Sequence, residues 1–288
     1  MGIKFGPAGH SASFAAAGFK ATVDAPAWLA GLGLNAYEYQ CGRGVTIGEP
    51  SARAIGEAAR AHGVTLSLHT PYYINLSSGE AERREKNIVY VLQSCAAAAA
   101  MGAQRMVVHC GGVGKQSRSQ AMQHSRENVR LLLDAVEQAG YTQTLCLETM
   151  GKVGVIGTAE EVCELVALDD RLLPCIDFGH LNARTCGHCN SREEFAAVLD
   201  LLENRIGVER ARVLHAHFSK IEYTSGGEKR HLTFADTVYG PDFAPVAEET
   251  ARRGWSPVFI CESAGTQAED AQEMKGMYQR CYQPLEKP

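Results

Sequence analysis

The absences in this sequence narrow its reading first. No uninterrupted apolar run approaches the roughly 20 residues that span a bilayer, and the opening MGIKFGPAGH has no basic stretch leading into an apolar core. A cytoplasmic chain without membrane contact is therefore expected. No linker, low-complexity tract or internal repeat interrupts the 288 residues, so one domain covering 1–288 is expected, most simply as a monomer. The net charge of −5 excludes a generally basic coat for nucleic acid. It does not exclude a phosphate-bearing substrate, because bound divalent cations can make a local positive site on an acidic protein. The first apolar segment runs into GPAGH, not GxGxxG, which removes the glycine fingerprint of an open dinucleotide-binding sheet. Disulfides are not expected either, since Cys146, Cys175 and Cys261 sit inside apparent core strands, where a small buried thiol is the ordinary reading. The CGHC at 186–189 has no second CxxC with which to complete a zinc ribbon.

What is present is a regular alternation. Short apolar runs, IKFGPA, NAYEYQ, TLSLH, RMVVHC, TLCLET, LPCIDF, RVLHAHF and PVFICES, read as eight strands. Between them lie helical stretches that end on Gly63, Gly102 and Gly140, and one, TAEEVCELVAL, that opens with Thr158 and Glu161 at capping-box spacing. Eight strands alternating with helices predict an α/β fold of the (β/α)8 TIM-barrel type, with an open doubly wound sheet as the competing architecture.

Six of the apolar runs end on a residue that can bind a divalent ion: His69, His109, Glu148, Asp177, His215 and Glu262, at intervals of about 30 to 47 residues. In a barrel, strand ends and the loops after them converge on one site, so these residues predict a shared metal centre. His180 in IDFGHLN and His231 in TSGGEKRHLTF join from loops. Three carboxylates and five histidines exceed what one tetrahedral ion uses, which implies two or three ions. The mixture of imidazole and carboxylate suits Zn2+, with Mn2+ or Fe2+ as substitutes. Glu148, central in chain order, is the candidate for a carboxylate shared by two ions.

The motifs HTPYYINL at 69–76, VVHCGG at 107–112, LETMGKVGVIG at 147–157, CIDFGHLNA at 175–183, HAHFSK at 215–220, KRH at 229–231 and ICES at 260–263 together resemble the endonuclease IV family. That resemblance implies a TIM barrel with a trinuclear zinc centre that hydrolyses DNA 5′ to abasic sites, as in base excision repair, by zinc-activated water. It places His69, His109 and Glu148 on one ion, Glu148, Asp177, His215 and Glu262 on a second, and His180 and His231 on a third. Glu148 and Glu262 are then the catalytic carboxylates. Tyr72, Asn75, Lys220 and Arg230 are the expected substrate contacts, with Lys115, Arg118 and Lys152 as further cations near phosphate.

Two departures qualify the resemblance. The family has Asp-Arg-His before its last histidine, whereas this chain has Lys229-Arg230-His231. Three outcomes follow: Glu228 substitutes by a one-residue shift, the third site is weak, or the Lys229 ammonium replaces part of the ion's charge. A two-ion core with an incomplete third site is expected. The loop YQCGRGVTI also lacks the longer polar and aromatic insertion of DNA-penetrating loops, leaving Arg43 as its one cation. A sugar isomerase or epimerase of the related xylose-isomerase-like barrel is the competing function, because Glu148, Asp177, His215 and Glu262 would also satisfy its single ion.

Overall fold

In the computed structural model, which describes residues 2–282, all eight expected strands form. They are β1 (Lys4–Pro7), β2 (Ala36–Gln40), β3 (Thr65–His69), β4 (Arg105–His109), β5 (Thr144–Glu148), β6 (Leu172–Asp177), β7 (His215–Phe218) and, after a hairpin, β10 (Val258–Cys261). The hairpin consists of β8 (Ile221–Thr224) and β9 (Gly227–His231), a segment whose sequence reads only as a loop. The large sheet is parallel throughout, in the order β1-β10-β7-β6-β5-β4-β3-β2. Its two ends meet: Ala8 bridges Glu38 in parallel, the Gly9 amide donates to the Glu38 carbonyl at 3.0 Å, and Asn35 N–H donates to the Phe5 carbonyl at 3.0 Å. The sheet therefore closes into a TIM barrel and is not an open sheet.

The helices follow their sequence signals. Gly63, Gly102 and Gly140 carry φ of +67°, +75° and +75°, the left-handed conformation that lets the chain leave a helix without a Cβ clash. Thr158 accepts from the Glu161 amide and Glu161 returns the bond, so that capping box is present, and Ser117 with Gln120 makes another ahead of Arg118–Gln138. Among the described residues, no helix is long and apolar enough to cross a membrane.

Alternation along the strands explains how the interior is furnished. Side chains two apart share a face, and on the barrel's inner face the small or apolar residues come first: Ala36, Val107, Cys146, Leu173, Cys175, Val258 and Ile260 form two small buried clusters there. The same register then delivers Glu38, His69, His109, Glu148, Asp177 and His217 to the upper interior. The opposite faces carry the large side chains, such as Phe5 stacked on Phe259 with centroids 5.5 Å apart, into the layer between barrel and helices.

Closure depends on one glycine. A Cβ on Gly6 would lie 1.8 Å from the Ala36 carbonyl oxygen, a contact with backbone that side-chain movement cannot relieve. Gly6→Ala is expected to destabilise the fold by about 2–3 kcal/mol, the range for overpacking a tight interior. A urea denaturation midpoint unchanged from the parent would show that β1 and β2 do not meet as described.

Candidate metal centre

At the carboxyl-terminal mouth of the barrel, a cavity of about 950 Å³ is lined by His69, Tyr72, Asn75, His109, Glu148, His180, Glu228, His231 and Glu262 among others. Beneath it lie four groups of ligand-type side chains: His69, Glu148 and His217; Glu148, Asp177, His217 and Glu262; His180, Glu228 and His231; and, deeper in the barrel, Cys175, His215 and His217. Within each group the candidate donor atoms lie within 4.8 Å of one another.

Glu148 is the hub. It is fully buried, with Oε2 2.9 Å from His109 Nε2 and 3.4 Å from His69 Nε2, and Oε1 2.9 Å from His217 Nδ1. Despite these distances, Glu148 Oε2 has no partner in hydrogen-bonding alignment, and neither does the buried Asp177 Oδ2. Two orphaned carboxylate oxygens ringed by imidazole nitrogens are out of line with each other because they aim at common points, as metal ligands do. The surrounding bonds set the same orientation. His69 Nδ1–H donates to the Thr70 carbonyl at 2.8 Å and His180 Nδ1–H to the Thr149 carbonyl at 2.9 Å, which leaves each Nε2 as the free lone pair. Asp177 Oδ1 accepts the His180 amide at 2.7 Å, so the DFGH turn holds both side chains.

The two histidines of β7 stand at different depths. His215 is the first residue of β7, not its last, and it lies level with Cys175, whereas His217 is level with Asp177. Both histidines face inward because they are two apart, but His215 lies about 6–7 Å deeper along the strand. Its Nε2 sits 2.8 Å from Glu38 Oε2, away from Glu148, Asp177 and Glu262, and His217 takes the place expected of it. The alternation in HAHF held that signal, since either histidine satisfies the periodicity.

The departure at Lys229 is resolved by a bulge. Glu222 pairs with Arg230 and Tyr223 with Glu228, leaving Lys229 as the extra residue of β9. Residues three apart ordinarily face opposite ways on a strand, but the bulge shifts the phase and brings Glu228 and His231 to the same side. Glu228 Oε2 lies 3.4 Å from His180 Nε2, and Oε1 lies 3.7 Å from His231 Nε2. Lys229 turns outward onto Glu222 at 2.5 Å and is exposed, so its ammonium does not stand in for an ion. Gly151 makes room for this: a Cβ there would meet Glu228 Cβ at 2.6 Å and His180 Cδ2 at 2.9 Å. The third group thus has its carboxylate, from the residue before the expected position.

Of the expected substrate contacts, Tyr72 and Asn75 line the cavity and Lys220 and Arg230 do not. Tyr72 is 55% exposed and stacks on His109 at 5.7 Å, its ring position requiring Gly42, where a Cβ would lie 2.3 Å from Tyr72 Cε2. Asn75 Oδ1 accepts from the Ser77 hydroxyl at 2.7 Å and so also fixes its own loop. Lys220 is bound to the Asp236 carbonyl and Asp242, and Arg230 to Glu222 on the outer face of the hairpin. Arg118 is spent on Glu161 and the carbonyls of Val153 and Val155. The cations that do line the cavity are Lys152 and Arg83, the latter unremarkable in sequence because a helix-start arginine usually faces solvent. His10, Gln40 and Gln267 line it as well.

The concentrated negative charge moves the histidines. Burial opposes the charged form of His180, but Asp177, Glu148 and Glu228 outweigh it and push its pKa up to about 9. His69 is raised in the same way, against its burial, by its bond to Glu148. Burial would raise the carboxyl of Glu148, yet His109 and His217 hold it well below the usual range.

The fold and this site define a class, a barrel enzyme scaffold with convergent metal-type ligands at its mouth. Residues 26–280 match the family model described as xylose isomerase-like TIM barrel, and the chain belongs to that family. It is 32% identical over 232 residues to an uncharacterized protein of Methanocaldococcus jannaschii, covering 81% of this chain and 83% of that one. It is 28% identical over 158 residues to a probable endonuclease 4 of Acholeplasma laidlawii, and there the match spans 54% of this chain and about half of the relative, 53%. Among solved structures, a D-tagatose 3-epimerase-like protein superposes with a TM-score of 0.74 at 20% identity, covering 97% of this chain and 98% of that one. Endonuclease IV from Thermus thermophilus superposes with 0.68 at 20% identity, covering 96% and 99%. Those two likenesses are of fold, and the fold is shared by both chemistries.

Two outcomes are expected from this geometry. Glu228→Ala should lower the metal content of purified protein by one ion per chain in elemental analysis while Lys229→Ala leaves it unchanged; the reverse would return Lys229 to the site. A histidine with a raised folded pKa stabilises fully below its unfolded value, 6.5, and that contribution is lost as pH rises through about 9. Chelator-treated protein should therefore lose melting temperature between pH 6.5 and 9, and zinc-loaded protein less. Equal losses would mean that protons and cations do not compete for the cluster.

Proposed function

We propose that this chain is a metal-dependent phosphodiester hydrolase of the endonuclease IV type that cleaves DNA 5′ to abasic sites. One observation carries the reading: three ligand groups share Glu148 or lie beside it, and a single-ion isomerase needs only the group of Glu148, Asp177, His217 and Glu262. His69 and His109 on one side, and His180, Glu228 and His231 on the other, are superfluous to an isomerase and suited to holding two further ions. Zn2+ fits the mixture of imidazole and carboxylate, with Mn2+ or Fe2+ as substitutes. Divalent ions in such a cluster acidify water toward a pKa of about 7 and neutralise charge on a phosphate.

The chain's own residues supply the rest. Glu148 holds adjacent groups at a fixed separation, and the partly exposed Glu262 completes the central one from the cavity wall. Lys152 and Arg83 are placed to meet phosphate oxygens, in the role first expected of Lys220 and Arg230. Tyr72 offers an aromatic face over the His69 and His109 rings, where the space left by a missing base would bring a deoxyribose. The probable endonuclease 4 relatives support the same substrate class.

The test is incubation of zinc-loaded protein with duplex DNA bearing one abasic site, beside a panel of ketohexoses. Cleavage 5′ to the lesion is expected, and Glu148→Gln should slow it by at least about 10²-fold, near 2.7 kcal/mol of barrier. Epimerised sugar with intact DNA would assign the barrel to isomerase chemistry instead.

A further inference from the structure

Below the ligand groups lies a carboxylate with no part in them. Glu38, on β2, is fully buried; Oε2 accepts the Ser67 hydroxyl at 2.8 Å and lies 2.8 Å from His215 Nε2. Its other oxygen, Oε1, lies 3.0 Å from His217 Nε2 and accepts from Gln40 Nε2 at 3.2 Å. The two faces of His217 are thus divided between two carboxylates, Nε2 over Glu38 and Nδ1 over Glu148, 2.9 Å away. A bare carboxylate in a dry interior is costly unless its oxygens are used. Here Ser67, Gln40 and His215 hold it so that one lone pair remains for His217.

We propose that Glu38 is a positioning residue that fixes the tautomer and ring orientation of His217, its Oε1 serving as acceptor for Nε2–H so that Nδ1 is presented as the lone pair to the central ion. His215 then acts through Glu38, which accounts for a second inward histidine outside the groups that contain Glu148. His217 Nε2 is close to Oε1 without being aligned on it. The aligned bond of His217 here is Nδ1 to Glu148 Oε1 at 2.9 Å, on the side where the central ion would sit. The arrangement has the form of a carboxylate–histidine–metal relay, in which outer partners typically contribute 10–100-fold in metal affinity. The inference rests on the metal-centre reading above but not on any substrate.

The experiment titrates Zn2+ against a chromophoric chelator in full-length wild type, Glu38→Gln and, as a control, Glu249→Gln, whose buried carboxylate serves Arg192 and Arg252 far from the mouth. Glu38→Gln should weaken the tightest zinc by about 10–100-fold with the metal-free melting temperature held or raised, whereas Glu249→Gln should lower the melting temperature and leave zinc affinity alone. Nitrogen NMR of the zinc-loaded wild type should show His217 protonated on Nε2. Unchanged affinity in Glu38→Gln, an affinity loss that tracks its melting temperature, or a proton on Nδ1 would each overturn the assignment. If Glu38→Gln does not fold, Ser67→Ala, which frees the same carboxylate, should weaken zinc severalfold, and wild-type affinity there would overturn it equally. Wild type that binds no zinc would instead bring down the metal-centre reading itself.

Discussion

The structure turns on a buried concentration of negative charge at the mouth of a closed barrel. Glu38, Glu148 and Asp177 are withdrawn from water, with Glu262 nearly so, at a depth where an uncompensated carboxylate would be neutralised or expelled. Histidines supply the compensation, and they supply it with atoms aimed inward, so the arrangement that makes the charge tolerable also gathers ligand-type atoms at common points. The orphaned oxygens of Glu148 and Asp177 mark where that compensation is incomplete among the protein groups alone.

The barrel makes this concentration affordable by separating two tasks along its axis. Small and apolar inner residues fill the lower interior, while the outer faces of the same strands carry the aromatic layer under the helices. Most of the ligand-type residues stand at the upper turn of the strands, where loops provide carbonyls at Thr70 and Thr149 to orient the imidazoles, with Glu38, Ser67 and His215 one layer deeper. Glycines recur where backbone must pass close, at Gly6 for closure and Gly151 for the docked hairpin. The cavity above carries Lys152, Arg83 and an exposed Tyr72.

The β8–β9 hairpin supplies two of the three members of the third ligand group, Glu228 and His231. Its bulge at Lys229 moves Glu228 into phase with His231, and the close fit of Gly227 and Gly151 lets the hairpin reach the barrel mouth. A substitution that seems in sequence to remove a ligand is thereby offset by one residue of strand slippage. The exposed face of the hairpin absorbs Lys229 and Arg230 in ion pairs with Glu222, which removes two cations from any role at the cavity.

The alternation of strands with helices, the glycine stops, the capping box at Thr158 and the inward positions of His69, His109, Glu148 and Asp177 are determined by sequence alone, because each depends on local periodicity or local backbone geometry. Four matters were decided only by tertiary structure. Closure of the barrel required β1 to meet β2 across 30 residues of chain. The choice of His217 over His215 required the register of β7 against β6, since period-two alternation puts both on one face and says nothing about depth. The recruitment of Glu228 required a bulge, and Glu38 required its neighbours on β3 and β7, for long-range pairing sets the level at which a side chain stands and no window of local sequence contains it.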